Sequence, residues 1–185
     1  MLDWQALEAT CMHCNQCDLC QTRTNVVFGV GVKDTDIMFI GEGPGEQEDL
    51  QGIPFVGPAG KLLDDMLSII DLNRQNCYIA NIVKCRPPRN RDPQEEEQLA
   101  CIGYLRNQVA LIQPKIIVCL GRIAAKRIID PDFRITREHG NWVNKNGIWM
   151  TAIYHPSALL RDVTKRPETF EDLLSIRDKM IELDI

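Results

Sequence analysis

The chain has 185 residues, of which 44% are hydrophobic and 25% charged, and its formal net charge is −5 at pH 7. This length suits one domain with a sheet packed on both faces by helices, and the composition is that of an ordinary globular protein. The net charge argues against a generally basic nucleic-acid-binding protein but leaves room for a local basic groove. The apolar runs are far too short to span a bilayer and no signal peptide is recognisable, so we expect a cytoplasmic protein without a membrane partner.

Eight cysteines stand out in a chain of this size. Four are spaced three residues apart near the N-terminus and four follow singly: Cys11, Cys14, Cys17 and Cys20, then Cys77, Cys85, Cys101 and Cys119. Thiols at this spacing are typical of metal ligands. Disulfides are not expected, because a cytoplasmic protein has no oxidising compartment in which to pair eight thiols. Zinc and iron–sulfur clusters both accept four thiolates, so the spacing leaves the metal open.

Short apolar runs alternate with stretches of helical periodicity along the rest of the chain. The runs predict four buried strands, at residues 37–40, 78–83, 115–120 and 148–154. The helical spacing predicts helices that begin near Pro58 and Pro93, over residues 121–129 and from about residue 168. This alternation predicts an α/β fold: a three-layer α/β/α sandwich with a central, mainly parallel four-stranded sheet, formed by a single domain over residues 1–185.

Ligands of parallel sheets bind beyond the carboxyl ends of the strands. In this chain those ends are followed by the segments richest in glycine, proline and polar side chains: residues 41–55, 81–91, 121–122 and 155–157. The first segment begins with a loop of three glycines, which let backbone N–H groups approach a ligand closely. The loop has neither a dinucleotide-binding fingerprint nor a P-loop lysine, and a plain turn explains it about equally well.

Three single residues near these strand ends are candidates for binding a flat ring. Phe55, held between prolines and glycines, is either a rigid aromatic platform or a core residue. Asn81 ends an apolar strand, and its amide either caps the next loop or matches the edge of a pyrimidine base with a donor and an acceptor. His155 is either a hydrogen-bond donor at the rim or a helix cap. Because polar groups on separate strands then lie at one rim with an aromatic nearby, together they predict a base pocket.

Four segments resemble, in the same order, the iron–sulfur uracil-DNA glycosylases called family 4: residues 41–49 (GEGPGEQED), 55–60 (FVGPAG), 81–88 (NIVKCRPP) and 155–161 (HPSALLR). The resemblance covers most of the chain and includes residues 26–29 (VVFG) after the first cysteines. It implies the fold and the activity of that family, in which uracil is flipped out of DNA and excised by hydrolysis of its N-glycosidic bond, leaving an abasic site. Uracil-containing DNA, single- or double-stranded, is then the expected partner of a monomeric protein.

The resemblance implies a uracil pocket made of six residues: Gly41, Glu42, Gly43, Phe55, Asn81 and His155. In this pocket Phe55 stacks on the flipped ring, and Asn81 reads its Watson–Crick edge and rejects cytosine. Backbone groups of the glycine loop contact the pyrimidine. His155 donates a hydrogen bond to O2 as negative charge develops on the departing base.

The residue that activates water is left open by the motifs. Other uracil glycosylases carry an aspartate or asparagine for this purpose at the position where this chain has Gly43. Glu42 and Glu48 are equal candidates for the catalytic base. Glu48 has two alternative roles, which are guarding the C5 edge of uracil against thymine and capping the loop. No lysine is placed as a Schiff-base nucleophile, so we expect an abasic product without strand cleavage.

The resemblance also implies a [4Fe–4S] cluster on four thiolates: Cys14, Cys17, Cys85 and Cys101. This assignment splits the N-terminal cysteines and leaves Cys11 and Cys20 outside the ligand set. Because hydrolysis of a glycosidic bond is not a redox reaction, we expect the cluster to be structural and to order the loop of residues 84–91 for DNA.

Basic residues gather in two segments that follow strand ends. The first contains Lys84, Arg86, Arg89 and Arg91, and the second contains Arg161, Lys165 and Arg166. We expect DNA contacts from Arg86, from Arg89 and from the second segment, which is alternatively a DNA-intercalating loop or a solvated surface. The main rival function is a non-catalytic iron–sulfur DNA-binding or damage-sensing protein of the same fold. A ferredoxin-like electron carrier would leave the predicted base pocket unexplained.

Overall fold

The structure, a computed structural model, describes residues 2–185. Its strands are β1 (Val30–Gly31), β2 (Ile37–Gly41), β3 (Tyr78–Asn81), β4 (Ile116–Leu120), β5 (Val143–Lys145) and β6 (Ile148–Ile153). They form one sheet with the order β1-β3-β2-β4-β6-β5. The inner four strands run parallel, whereas β1 and β5 pair antiparallel at the two edges.

The helices are α1 (Trp4–Met12), α2 (Leu19–Thr22), α3 (Glu46–Gln51), α4 (Pro58–Ile69), α5 (Glu95–Ile112), α6 (Arg122–Ile128), α7 (Ile135–Glu138), α8 (Pro156–Arg161) and α9 (Arg166–Glu182). Single 3₁₀ turns lie at Pro88–Asn90 and Val163–Lys165. Local signals begin the helices that flank the strand ends. A proline stands at the start of α4 and of α8, and a capping box between Gln94 and Glu97 begins α5.

Helices cover both faces of the sheet because successive residues of a strand point to opposite sides. On β2, Met38 and Ile40 belong to one apolar core, and Ile37 and Phe39 belong to the other. The first core includes residues of α1, α5 and α6, and the second includes residues of α4, α8 and α9. The molecule therefore has three layers, with the strands buried on both faces.

The four predicted strands correspond to β2, β3, β4 and β6, and the predicted α/β/α sandwich around a mainly parallel sheet is confirmed. Two edge strands that the sequence did not predict extend the sheet to six. β1 has only two residues, and β5 carries the exposed polar side chains of Asn144 and Lys145. Neither strand contains the apolar run from which a buried strand is recognised.

In the part of the chain that the structure describes, no helix is long and apolar enough to cross a membrane.

The four parallel strands all end at the same edge of the sheet. The segments that the strand-end rule selects are therefore neighbours in space.

Candidate active site and thiol pocket

The carboxyl ends of the parallel strands surround a cavity of about 690 Å³, here termed the base cavity. Each strand end contributes a lining residue: Glu42, Asn81, Gly121 and His155. Phe55 and residues 43 to 48 also line the cavity. Gly41 lies behind this lining, where a Cβ would come within 2.5 Å of Asn81 Oδ1 and 2.6 Å of Phe55 Cζ. The structure thus brings together all six residues of the expected uracil pocket.

Phe55 is held in an unusual backbone conformation at the cavity wall. Its φ of 54° lies in the region that favours glycine, a conformation that costs of order 1–3 kcal/mol. Arg74 stabilises it, because its guanidinium donates to the carbonyl oxygen of Pro54 at 2.7 Å and to that of Phe55. Arg74 is itself fixed by an ion pair with Asp64 at 2.9 Å. The ring is therefore presented by a clamped loop, as a binding platform requires.

Glu48 fastens the same loop from the other side. Its Oε1 accepts hydrogen bonds from the backbone N–H groups of Val56 at 3.0 Å and Gly57 at 3.1 Å. A carboxylate with two backbone donors is strongly held in place. Glu48 therefore positions the loop after Phe55, which matches the loop-capping alternative for this residue.

Asn81 presents an acceptor that has no partner in residues 2–185. The side chain is 2% exposed, and its Oδ1 is buried without a hydrogen bond. A buried polar atom left unpaired costs about 1–3 kcal/mol, so native structures retain few of them. Asn81 also lines the base cavity, where a ligand with an N–H group would offer this amide a partner.

His155 caps α8 and is held as a neutral donor. Its Nδ1 accepts the backbone N–H of Ser157 at 3.1 Å, and Ser157 Oγ lies 2.7 Å away. Burial lowers the pKa of His155 to about 4; Arg161 adds to this shift, and Glu48 opposes it. Since Nδ1 is an acceptor in a neutral ring, the proton is on Nε2. The ring lies 5.6 Å from that of Phe55, centroid to centroid, at 31°.

Glu42 is a carboxyl group whose pKa lies near neutrality. Burial raises this pKa to about 7, and the charge of Asp92 and its hydrogen bond to Glu42 add to the shift. Arg122 and Arg161 act in the opposite direction, and Arg122 forms an ion pair with Asp92. Sequence reasoning did not assign roles to Asp92 or Arg122. Arg122 lies in a strand-end segment that the sequence singles out, whereas no sequence signal marks Asp92.

The second basic segment borders the base cavity only in part. Arg161 and Lys165 line the cavity, and Lys165 Nζ lies 4.6 Å from the centroid of the Tyr154 ring. Arg166 instead donates from Nε to the carbonyl oxygen of Leu159 at 3.2 Å. The structure therefore brings two of these three basic residues to the cavity.

The first basic segment is divided between surface and interior. Arg86 donates from Nε to Asn90 Oδ1 at 2.6 Å, and Arg89 is exposed with a φ of 58°. Arg91 makes a bidentate pair with Glu97. Lys84 is 1% exposed, so it is the one basic residue of this segment that lies in the interior. Its backbone continues from β3 into the interior, because the neighbouring residues belong to the apolar core.

A second, smaller pocket, here termed the thiol pocket, is lined by six of the eight cysteines. They come from the N-terminal segment, from the segment after β3 and from α5: Cys11, Cys14, Cys17, Cys20, Cys85 and Cys101. All eight cysteines are free thiols. The four expected ligands therefore line one pocket, and Cys11 and Cys20 line it with them.

The donor set of the thiol pocket suits an iron–sulfur cluster. Its lining consists largely of cysteine side chains, and iron–sulfur clusters are held by cysteine thiolates. Two sulfur atoms accept hydrogen bonds: the backbone N–H of Lys84 donates to Cys101 Sγ at 3.2 Å, and Arg23 Nη1 donates to Cys85 Sγ at 3.3 Å. Burial raises the pKa of Cys101 to about 11, and Lys84 opposes this shift.

The fold and the base cavity identify the class of protein. The family model of the uracil DNA glycosylase superfamily matches residues 28–176. The chain belongs to this superfamily, since the match covers well over half of its length.

Curated relatives narrow the class further. A type-4 uracil-DNA glycosylase of Archaeoglobus fulgidus is 47% identical over 182 residues, which cover 93% of this chain and 88% of the relative. One from Thermotoga maritima is 47% identical over 153 residues, covering 80% of this chain and 79% of the relative. One from Pyrobaculum aerophilum is 38% identical over 180 residues, which cover 93% of this chain and 92% of the relative. The resemblance to family 4 that the motifs indicated is confirmed.

Proposed function

We propose that the protein excises uracil from DNA by hydrolysing the N-glycosidic bond and leaves an abasic site, the first step of base excision repair. One observation carries the proposal: Asn81, whose Oδ1 is a buried acceptor without a partner in the described residues, lines the same cavity as Phe55 and His155. The imide N–H of uracil supplies the donor that this atom lacks. Cytosine has an acceptor at that ring position and would leave two acceptors facing each other.

The base reaches this cavity by leaving the DNA stack, which costs less when it is mispaired with guanine. The Phe55 ring then supports the flipped uracil from one face. Gly41 leaves the space that this arrangement needs, because a Cβ at residue 41 would collide with both Phe55 and Asn81. The pocket thus selects a flat ring with an N–H and a carbonyl side by side.

His155 stabilises the departing base as a neutral donor. Bond cleavage leaves negative charge on uracil and an oxocarbenium-like sugar, so a preorganised donor toward O2 lowers the barrier. Because Nδ1 is occupied by Ser157, Nε2–H is the group available for this hydrogen bond. Its low pKa keeps the ring neutral at physiological pH, so the donor needs no change in protonation state before the reaction.

Glu42 is the residue that we assign to activating water. A carboxylate with a pKa of about 7 is close to the optimum for a general base at neutral pH. Glu48 is committed to the backbone of Val56 and Gly57, and we assign it to positioning. The side chain used by other uracil glycosylases is absent here, and a Cβ at Gly43 would lie 2.7 Å from Val83 Cγ2.

DNA contacts fall to the rim of the cavity. Arg161 and Lys165 line the cavity, and we assign them to the phosphates on either side of the flipped nucleotide. Leu160 and Val163 expose apolar side chains in the same segment, and exposed apolar wedges of this kind separate base steps in proteins that distort DNA. Arg86 and Arg89 remain candidates for contacts further along the strand. No lysine is assigned as a nucleophile, so the strand itself stays intact.

We assign a [4Fe–4S] cluster to Cys14, Cys17, Cys85 and Cys101. When bound, it supplies a cross-link between the N-terminal segment, the segment after β3 and α5, within one domain of residues 1–185. Cys11 and Cys20 line the same pocket but are not needed as ligands. We further propose a monomer that acts in the cytoplasm on chromosomal DNA, single- or double-stranded.

The test uses an oligonucleotide with one uracil, incubated with iron-loaded protein and then treated with alkali. We expect cleavage at the uracil position after alkali and none before it. An iron-loaded protein that binds this DNA without releasing uracil would overturn the proposal and favour the non-catalytic alternative. A matched oligonucleotide with cytosine at that position is the control for specificity.

A further inference from the structure

Lys84 is a buried cation without a counter-charge from any carboxylate. The side chain is 1% exposed, and no ion pair in residues 2–185 involves it. A buried charge is strongly destabilising unless it is paired and hydrogen-bonded. The proposed glycosylase reaction gives this ammonium no role, because it faces the interior and not the base cavity.

Gln108 positions the ammonium but does not neutralise it. Lys84 Nζ donates to Gln108 Oε1 at 2.7 Å. The amide of Gln108 is fixed in turn, because its Nε2 donates to the Phe28 carbonyl oxygen at 3.0 Å and to Tyr78 Oη at 3.1 Å. The Phe28 ring also lies near the ammonium, at 5.8 Å from centroid to Nζ. All of these partners are neutral.

The groups that can balance the charge are the sulfur atoms of the thiol pocket. Lys84 itself lines that pocket together with the six cysteines, Cys11 and Cys101 among them. Its backbone N–H also donates to Cys101 Sγ. Lys84 thus combines a backbone donor to one sulfur atom with a buried ammonium, in a residue that lines the sulfur-lined pocket.

We propose that Lys84 is the internal counter-ion of the iron–sulfur cluster. This inference rests on the cluster proposed above and adds a role that the glycosylase reaction does not require. Four thiolates carry negative charge into an interior where charges interact more strongly than in water. The ammonium offsets that charge, so it holds the cluster in the protein and favours its more negative, reduced form. Net charge and hydrogen bonds to sulfur set the potentials of such clusters.

The experiment compares the wild-type protein with Lys84→Met and Lys84→Gln, which remove the charge and keep most of the volume. Lys115→Met is the matched control, because Lys115 is half-exposed and pairs with Asp36 at 3.3 Å. Iron content and the rate of iron loss to a chelator report retention. Protein-film voltammetry reports the reduction potential, with the electrode supplying the electron.

We expect both Lys84 variants to lose iron about 10- to 100-fold faster, the usual effect of removing an outer partner of a metal site. Their reduction potential shifts to more negative values, since the reduced cluster loses a nearby positive charge. Lys115→Met leaves both readouts at the wild-type value. Wild-type potential and retention in both Lys84 variants would overturn the inference.

Two further outcomes separate this inference from the proposed cluster. A wild-type protein that binds no iron removes the cluster and the counter-ion together. If Lys84→Met fails to fold, Lys84→Arg, which keeps the charge, is compared with Lys84→Gln. A higher potential and slower iron loss in the arginine variant support the inference, and equal values in the two overturn it.

Discussion

The base cavity and the thiol pocket share one stretch of chain, the segment at the end of β3, yet they are suited to different occupants. Asn81 lines the base cavity and Cys85, four residues later, lines the thiol pocket. The buried Lys84 lies between them in the chain. The base cavity is wide and leaves a buried acceptor unpaired, as suits a ligand that enters and leaves. The thiol pocket is small and combines six thiols with a buried ammonium, as suits a permanent cofactor.

This contrast predicts that the two regions can be broken separately. Substitutions in the base cavity should remove activity and leave iron in place. Substitutions in the thiol pocket should remove iron and stability first, and activity as a consequence.

The largest effect is expected from Cys85→Ser. Loss of one of four ligands should remove the cluster completely, and the N-terminal segment should detach from α5, with loss of activity. Iron analysis measures the loss of the cluster, and thermal unfolding measures the loss of stability when the N-terminal segment detaches. Cys77→Ser is the control, because Cys77 lies on the other face of the sheet and donates to Asn73 O. Iron loss in Cys11→Ser or Cys20→Ser, which we expect to keep the cluster, would contradict the ligand assignment.

Asn81→Leu should separate stability from activity. Replacing an unpaired buried amide by an apolar group of similar size removes its desolvation cost, so the free protein should gain about 1–3 kcal/mol in the free energy of unfolding. Uracil excision should fall by roughly 10⁴-fold, because the N–H and carbonyl of uracil then lack partners. Chemical denaturation and single-turnover assays give the two values. A loss of stability together with loss of iron would show that Asn81 is structural.

His155→Ala should reduce the single-turnover rate by about 10²–10³-fold, the usual cost of one preorganised donor to a developing anion. Absorbance near ~400 nm from the iron–sulfur thiolate site should be unchanged. Ser157→Ala is the milder control, because it removes the hydroxyl beside Nδ1 and keeps the backbone donor. A rate for His155→Ala within a few-fold of wild type would exclude the assigned role.

Glu42 should control the pH dependence of the reaction. Its ionised form is the base, so the rate should rise about tenfold per pH unit below pH 7 and level off above it. His155 stays neutral through this range because its pKa is about 4. Glu42→Gln should lose the pH dependence and about 10²-fold in rate. Asp92→Asn should move the rise to lower pH, since Asp92 raises the pKa of Glu42; an unmoved profile would contradict this coupling.

The smallest effect is expected from Glu48→Ala. The loop after Phe55 would lose one acceptor for two backbone donors, which costs about 1.5–3 kcal/mol in stability. The Michaelis constant should rise more than the turnover number falls, because Glu48 positions the stacking platform and does not touch the reacting atoms. Glu48→Gln keeps an acceptor oxygen and should be closer to wild type. A collapse of turnover in Glu48→Gln would instead favour Glu48 as the base.

The sequence predicted the buried strands and the residues at their ends best, because in each case a single physical constraint decides the outcome. Strands covered on both faces must be apolar throughout, so β2, β3, β4 and β6 were recognisable as continuous runs. β1 and β5 are edge strands, one too short and the other too polar to carry such a signal. The strand-end rule also selected Asn81 and His155, because residues that end parallel strands at one edge of the sheet are neighbours whatever the loops do.

The sequence alone could not rank Glu42 against Glu48, since both stand in the same acidic loop. The two side chains have different neighbours. Glu48 accepts hydrogen bonds from the backbone of Val56 and Gly57, whereas Glu42 lies beside Asp92. Asp92 itself has no sequence signal, because its importance comes only from its neighbours.

By itself, the sequence determined the sandwich, the family and the strand-end residues, because periodicity and ordered motifs are properties of the chain. Only the tertiary structure decided which side chains face one another. It buried Lys84, which the sequence grouped with the three arginines of its segment, and gathered six cysteines around one pocket where spacing singled out four. The physical reason is that burial and electrostatic pairing depend on distances between segments far apart in the chain, and residue order does not encode these distances locally.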